Sequence, residues 1–171
     1  MKYLVVSDNH GDRDILVQLV NRYKDEVDEM FHCGDSELEA SDHLWDYFTV
    51  VVKGNCDYGP GFPDTAVKNT GQDIIFMTHG HLSNVRFGLN QLSLQAEEAG
   101  ATIALFGHTH EIGCEMRQNC LFLNPGSIRL PRGPIQIQSY ALIESTADNF
   151  EVQYYDRNFE AVSKLHFKFN K

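Results

Sequence analysis

The apolar residues of this chain fall in short runs that stop at charged or polar residues. Tyr3-Leu4-Val5-Val6 is the first, a buried-strand pattern that ends at Ser7-Asp8. Ile15, Leu16, Leu19, Val20 and Tyr23 then recur at helical spacing. Asp12 is placed to cap that helix, and Asp14 lies in its first turn, where a carboxylate suits the helix dipole. A second strand is expected over Glu29–His32, running on to Asp35. A short helix follows over Glu37–Trp45, then a third strand over Phe48–Val52 that runs into Gly54-Asn55. Strand–helix–strand–helix–strand order implies a parallel sheet with right-handed crossovers. Ligands bind beyond the carboxyl ends of the strands in such sheets, and Asp8, Asp35 and Asn55 all fall there.

Asp73–Thr78 predicts another strand, which delivers His79. Leu89, Leu92, Ala96 and Ala99 predict a helix closed by Gly100, a natural left-handed stop. Ile103–Phe106 predicts a strand delivering Gly107 and His108. Beyond it the apolar period shortens to two. Gly113–Arg117 and Leu121–Asn124 read as a hairpin across Gln118-Asn119. Ser139–Glu144, Phe150–Tyr155 and Leu165–Phe169 read as antiparallel strands, with Asp156-Arg157-Asn158 turning the last pair. The first half is therefore α/β and the last third mostly β. No repeat, low-complexity tract or linker divides them, so a single domain over residues 1–171 is expected.

An apolar share of 42% over 171 residues excludes disorder and allows a substantial core. No apolar run approaches the ~20 residues of a membrane span. Asp8 interrupts the N-terminus too early for a signal-peptide core, so a cytoplasmic location is expected. The net charge of −10 argues against broad nucleic-acid binding, which draws on counterion release by basic residues. Much of that charge is expected on solvated faces such as Lys24–Glu29 and Ser36–Asp46. Anionic small molecules remain accessible where bound cations invert the local field. Cys33, Cys56, Cys114 and Cys120 form no Cys-x-x-Cys pair and read as small buried apolar residues; Cys114 and Cys120 are the one pair that a hairpin might set face to face.

Five strand ends carry the candidate chemistry: Asp8-Asn9-His10, Gly34-Asp35, Gly54-Asn55-Cys56-Asp57, His79-Gly80-His81 and Gly107-His108-Thr109-His110. Singly, each has an ordinary explanation as a turn or a packed histidine pair. Together, each at the end of an expected core strand, they point to one metal site. Its mixture of oxygen and imidazole donors suits Mn, Fe, Zn, Co or Ni better than Ca or Mg.

The ordered set D-x-H, G-D, G-N-x-D, H-G-H and G-H-x-H, with Asn124-Pro125-Gly126-Ser127 after it, resembles the calcineurin-like metallophosphoesterase superfamily, and within it the small single-domain YfcE-like phosphodiesterases. The resemblance spans roughly residues 1–130 in motif order. It implies an α/β (α+β) fold, a four-layer sandwich of two mixed β-sheets flanked by helices. It further implies that Asp8, His10 and His110 hold one divalent metal, that Asn55, His79 and His108 hold a second, and that Asp35 bridges both. A shared ligand is what a pair of ions ~3.5–4 Å apart requires. The implied activity is phosphoester hydrolysis, most simply of a diester, by a metal-bridging hydroxide, with Asp35 and Asn55 serving catalysis. Manganese is the first expectation, with Fe, Ni, Zn or Co as alternatives. The expected partner is a small phosphoester, with a homo-oligomer (dimer or tetramer) open; the alternative is a non-catalytic scaffold of the same fold.

Cys56 departs from the family pattern, because many relatives carry there a histidine thought to protonate the leaving group. A thiol is a poor donor to an alkoxide, which favours substrates with good leaving groups. His81 reads as a support for the metal ligands or as the substitute acid, and Asp57 as a residue that orients its loop. Arg129 and Arg132 read equally as a phosphate clamp or as surface charges. His32, His43 and His166 are expected to be packed or solvated, and Phe87, Phe106, Phe167 and Phe169 to be core.

Overall fold

Alternation along the first strand already dictates two apolar layers, because successive side chains leave a strand on opposite faces. In a computed structural model that describes all residues Met1–Lys171, this strand is β1 (Lys2–Val6). Tyr3 and Val5 face one core while Leu4 and Val6 face another. The elements then run α1 (Arg13–Tyr23), β2 (Glu29–His32), β3 (Val50–Val51), β4 (Thr65–Asn69), β5 (Ile74–Thr78), α2 (Asn90–Glu98), β6 (Ile103–Leu105), β7 (Ile112–Arg117), β8 (Cys120–Pro125), β9 (Ser139–Ser145), β10 (Asn149–Asp156) and β11 (Ala161–Asn170).

They form two mixed sheets, one in the order β11-β10-β9-β1-β2-β3 and one in the order β4-β5-β6-β8-β7. The expected parallel pairs β1–β2 and β2–β3 are present, as are parallel β5–β6 and β6–β8. Tyr3, Val5 and Phe31 of the first sheet meet Ile75, Met77, Leu105 and Leu123 of the second in the central core. Helix α1 lays Ile15, Leu16, Leu19 and Val20 on the outer face of the first sheet, and α2 lays Leu92 and Ala96 on that of the second. The result is the four-layer order helix, sheet, sheet, helix. Burying each of these large aliphatic side chains stabilises by roughly 1.5–3 kcal/mol.

Local signals hold where they rest on chemistry. Asp12 caps α1 by accepting from Ile15 N. Gly100 follows α2 with φ +63°, and Ala101 N closes the turn onto Ala96 O. Other expectations change. The helix expected over Glu37–Trp45 is only a 3-10 turn at His43–Tyr47, capped by Asp42, while Ser36 and Glu37 bond to Asp57 instead. Strand β4 was not anticipated: its residues are exposed or half-buried, and its pairing with β5, rather than an apolar face, holds it. Phe87 is not core but 92% exposed, whereas Phe106 is buried and Phe167 and Phe169 pack against the central core. His32 is buried, and His43 and His166 are exposed. All four cysteines are free; the hairpin register sets Cys114 opposite Leu123 and Cys120 opposite Arg117, so that pair does not meet. No helix is long and apolar enough to cross a membrane.

One buried carboxylate ties the two sheets together away from the loops. Asp73 accepts hydrogen bonds from Tyr3 Oη at 2.8 Å, Ser145 Oγ at 2.6 Å and Lys171 Nζ at 2.8 Å. Burial pushes its carboxyl upward, but Lys171, Ser145 and Tyr3 outweigh burial and hold it below the usual carboxylate range. A folded-state value below the unfolded one stabilises above about pH 4, and that contribution fades as pH falls through the folded value. Asp73→Asn is therefore expected to lower stability by about 3 kcal/mol at pH 7, with the gap narrowing in acid. Urea unfolding at both pH values checks this, and an unchanged midpoint at pH 7 would contradict it.

Candidate metal centre

The loops beyond β1, β2, β5 and β6 converge at one end of the sandwich. Their backbone is unusual before any side chain is considered. Asp8, His10, Asp35, His108 and His110 have φ of 57°, 44°, 52°, 68° and 62°, in the left-handed region. Asp and His tolerate it better than most residues, yet such conformations persist only where surrounding structure over-determines them. Here Asp8 N donates to Gly34 O at 3.0 Å, His10 N to Asp35 O at 3.1 Å and Gly107 N to His79 O at 3.0 Å, stitching the loops to one another. Gly54 permits the closest approach: a Cβ there would lie 2.0 Å from Asp35 Oδ1 and 2.2 Å from Asp35 N.

On this frame Asp8, His10, Asp35 and His110 each offer one donor atom, all within 4.8 Å of one another. His110 Nε2 lies 3.1 Å from both Asp8 Oδ1 and His10 Nε2. Hydrogen bonds on the far side of each ring orient the lone pairs. His10 Nδ1 meets Glu37 Oε1 at 2.6 Å, His79 Nδ1 meets Cys33 O at 2.7 Å and His110 Nδ1 meets Leu130 O at 2.7 Å. Since those partners accept, each Nδ1 carries a hydrogen, and in the neutral ring each Nε2 presents its lone pair to the interior. Asp8 Oδ1 and His79 Nε2 are buried without a hydrogen-bond partner. Unpartnered polar atoms cost free energy in a dry interior, and a cation placed among them offsets that cost. The donor set thus fits a divalent metal.

Charges follow the same geometry. Asp35 Oδ2 lies 3.3 Å from His79 Nε2, though not aligned as a hydrogen bond. Burial opposes both ionised forms and is outweighed: His79 and the Cys56 N–H hold Asp35 below the carboxylate range, while Asp35 and Asp8 raise His79 above its ordinary value. His108 is pushed down to about 4 by burial, His79 and Arg86. His81 is lowered by burial and by His79, and its ring stacks at a tilt 5.4 Å from that of His79.

Of the seven expected ligands, four therefore form one cluster, and His79 adjoins it with Nε2 4.0 Å from Asp8 Oδ1. The His108 ring stands 5.2 Å from His79. Asn55 is the exception: it is exposed, and its Nδ2 donates to Cys56 Sγ at 3.2 Å. The Cys56 thiol is pushed up to about 11 by burial and by Asp35, so it is protonated at neutral pH. Asp57 orients its loop as expected, accepting from Ser36 Oγ, Glu37 N and Gly54 N at 2.7–2.9 Å. Arg129 donates its guanidinium to His10 O, and Arg132 donates its backbone N–H to His110 O while its side chain is exposed.

Two supporting side chains escaped the sequence reading, and a third, Ser127, was noted there only as part of a motif. Glu37 sat in an acidic stretch taken as solvated, and Arg86, which donates to His108 Nε2 at 2.9 Å, in a stretch without periodicity. Ser127 donates to Asp8 O at 2.7 Å and accepts from Leu130 N at 2.7 Å, which fixes the carbonyl that orients His110. The Cys33 and Leu130 carbonyls leave no trace in residue identity.

The charge arrangement makes one prediction for metal-free protein. A raised folded-state value means that the His79 contribution to stability is fully present below about pH 6.5 and lost as pH rises through the higher folded-state value. Asp35→Asn removes the main opposing charge, so it should lower the His79 titration midpoint in histidine NMR spectra and destabilise more at pH 6 than at pH 9. An unmoved His79 midpoint would overturn the assignment.

Residues 1–148 match the model of the calcineurin-like phosphoesterase superfamily domain. The chain is 41% identical over 165 residues to the probable metallophosphoesterase YsnB of Bacillus subtilis, covering 96% of each protein. The crystal structure of a predicted phosphoesterase from Streptococcus pneumoniae superposes with a TM-score of 0.96 at 39% identity, covering 99% of this chain and 97% of the other. Vacuolar Protein Sorting 29 of Cryptosporidium parvum shares the fold at a TM-score of 0.80 and 19% identity, over 99% and 98% of the two chains. The fold expected from the motifs is the fold found, and this chain belongs to the calcineurin-like phosphoesterase superfamily.

Proposed function

We propose that the protein is a two-metal phosphodiesterase. Asp8, His10 and His110 hold the first ion, Asn55, His79 and His108 hold the second, and Asp35 serves both. The observation that carries this is the buried set of inward lone pairs, with Asp8 Oδ1 and His79 Nε2 unpartnered while hydrogen bonds fix the far side of three rings. Two divalent ions, manganese first among them, supply Lewis acidity and an activated water when bound.

The chain's own residues do the remainder. Asp35, held by Cys56 N at 2.7 Å, presents Oδ2 toward the His10 and His79 rings and so stands between the two groups of ligands. Asn55 is tethered only through the Cys56 sulfur, a weak acceptor, which leaves its amide free to turn toward a phosphoryl oxygen. Cys56 retains its proton at neutral pH, but a thiol with its value near 11 is a reluctant acid, which favours esters whose alcohol leaves without help. With a net charge of −10, the protein depends on its bound cations to attract an anionic ester.

Manganese-loaded protein is expected to cleave bis-p-nitrophenyl phosphate and to do so faster than p-nitrophenyl phosphate. Chelation should abolish cleavage and manganese restore it, and Asp35→Asn or Asp8→Asn should reduce the rate on the order of 10²-fold or more. Two bound metals with neither ester cleaved would overturn hydrolysis and favour a metal-binding scaffold of this fold.

A further inference from the structure

Four imidazoles surround the candidate metal centre through their ring nitrogens, and one is held differently from the others. His10, His79 and His110 are each gripped by an acceptor: a carboxylate, a carbonyl and a carbonyl. His108 is gripped by a donor, because Arg86 Nε lies 2.9 Å from its Nε2 and Arg86 Nη2 lies 3.3 Å from its carbonyl oxygen. Arginine has donors only. The bond therefore occupies the ring's one in-plane lone pair and leaves Nδ1 carrying the hydrogen.

We propose that Arg86 controls access of the second metal ion to His108, so that the two ions load in sequence. The inference rests on the two-metal reading above. An ion binding His108 through Nε2 needs the lone pair that Arg86 occupies. An ion binding through Nδ1 needs the hydrogen to move to Nε2, where it opposes the N–H of Arg86. In both cases metal and arginine exclude one another at this ring. The Asp8, His10, Asp35 and His110 cluster has no arginine on its ring nitrogens, so the first ion meets no such competitor.

The surroundings suit a side chain that holds and then releases. Its backbone is anchored: Arg86 lies in a 3-10 turn, Val85–Phe87, whose Val85 is buried beneath Gly80, so tightly that a Cβ on Gly80 would come 2.8 Å from Val85 Cγ2. Ser83 N donates to Gly80 O at 3.0 Å, and Asn84 Nδ2 to Gln91 Oε1 at 2.9 Å, which fixes the approach. The Arg86 side chain itself is exposed, and no carboxylate pairs with it. Swinging it into water breaks two hydrogen bonds, one to the His108 ring and one to its carbonyl, at an already exposed position. A guanidinium left in place also repels an arriving dication.

The test is metal binding by calorimetry and by metal analysis after dialysis against graded manganese, on wild type, Arg86→Ala and His108→Ala. Arg86→Ala should tighten the second, weaker site about tenfold and leave the first unchanged. In metal-free wild type, long-range ¹H–¹⁵N spectra should show His108 with its hydrogen on Nδ1, a preference that Arg86→Ala relaxes. An unchanged or weakened second site in Arg86→Ala would overturn the proposal. If that happens while His108→Ala binds one ion, only the role of Arg86 fails. If His108→Ala still binds two ions, the two-metal assignment of His108 fails and this inference with it.

Discussion

Two carboxylates and several imidazole lone pairs cannot be held 3–4 Å apart in a buried pocket unless something positive stands among them. That electrostatic constraint organises the whole carboxyl-terminal end of the sandwich. His10 Nε2 and His110 Nε2 face each other at 3.1 Å, and Asp8 Oδ1 is buried without a hydrogen-bond partner. In the free chain the adjoining Asp35 and Asp8 raise His79 above its ordinary value despite burial. A bound cation relieves the electrostatic constraint. Folding and metal binding are thereby linked, since the metal stabilises a state that the chain alone holds at a cost.

The two sheets supply the rigidity that this arrangement demands. Five site residues adopt left-handed backbone conformations, and each belongs to a loop that leaves directly from, or leads into, a strand of the central core. The core absorbs that cost because it is anchored elsewhere: by the apolar faces that the two helices cover and by Asp73, far from the loops, joining Tyr3, Ser145 and Lys171. Stability sits at one end and reactivity at the other. Among the supporting contacts, those to Cys33 O, Leu130 O and Glu37 give the rings acceptors, whereas Arg86 gives His108 a donor.

The legible part of the fold was the part written in apolar runs. Tyr3–Val6, Ile74–Thr78 and the α1 stripe each bury a full face, and their ends named the loops that matter. Strand β4 was invisible because backbone pairing to β5 holds it and no apolar face does. The stretch from Glu37 to Asp42 looked like a helix start, yet hydrogen bonds from Ser36 and Glu37 to Asp57 pull it to the site. Phe87 looked like core because it is apolar; its turn is anchored by Val85, packed against Gly80, and the Phe87 ring lies in solvent. The metal-ligating pattern was legible as residue types at strand ends. The tautomers of His79 and His110 were not, because they are set by carbonyls that no side chain identifies.

Anomalous diffraction at the manganese edge, from crystals grown with manganese, tests the central claim most directly. Two peaks are expected, one among Asp8, His10, Asp35 and His110, and one among Asp35, Asn55, His79 and His108. A single peak at full manganese occupancy, or density away from these side chains, would contradict the two-metal centre.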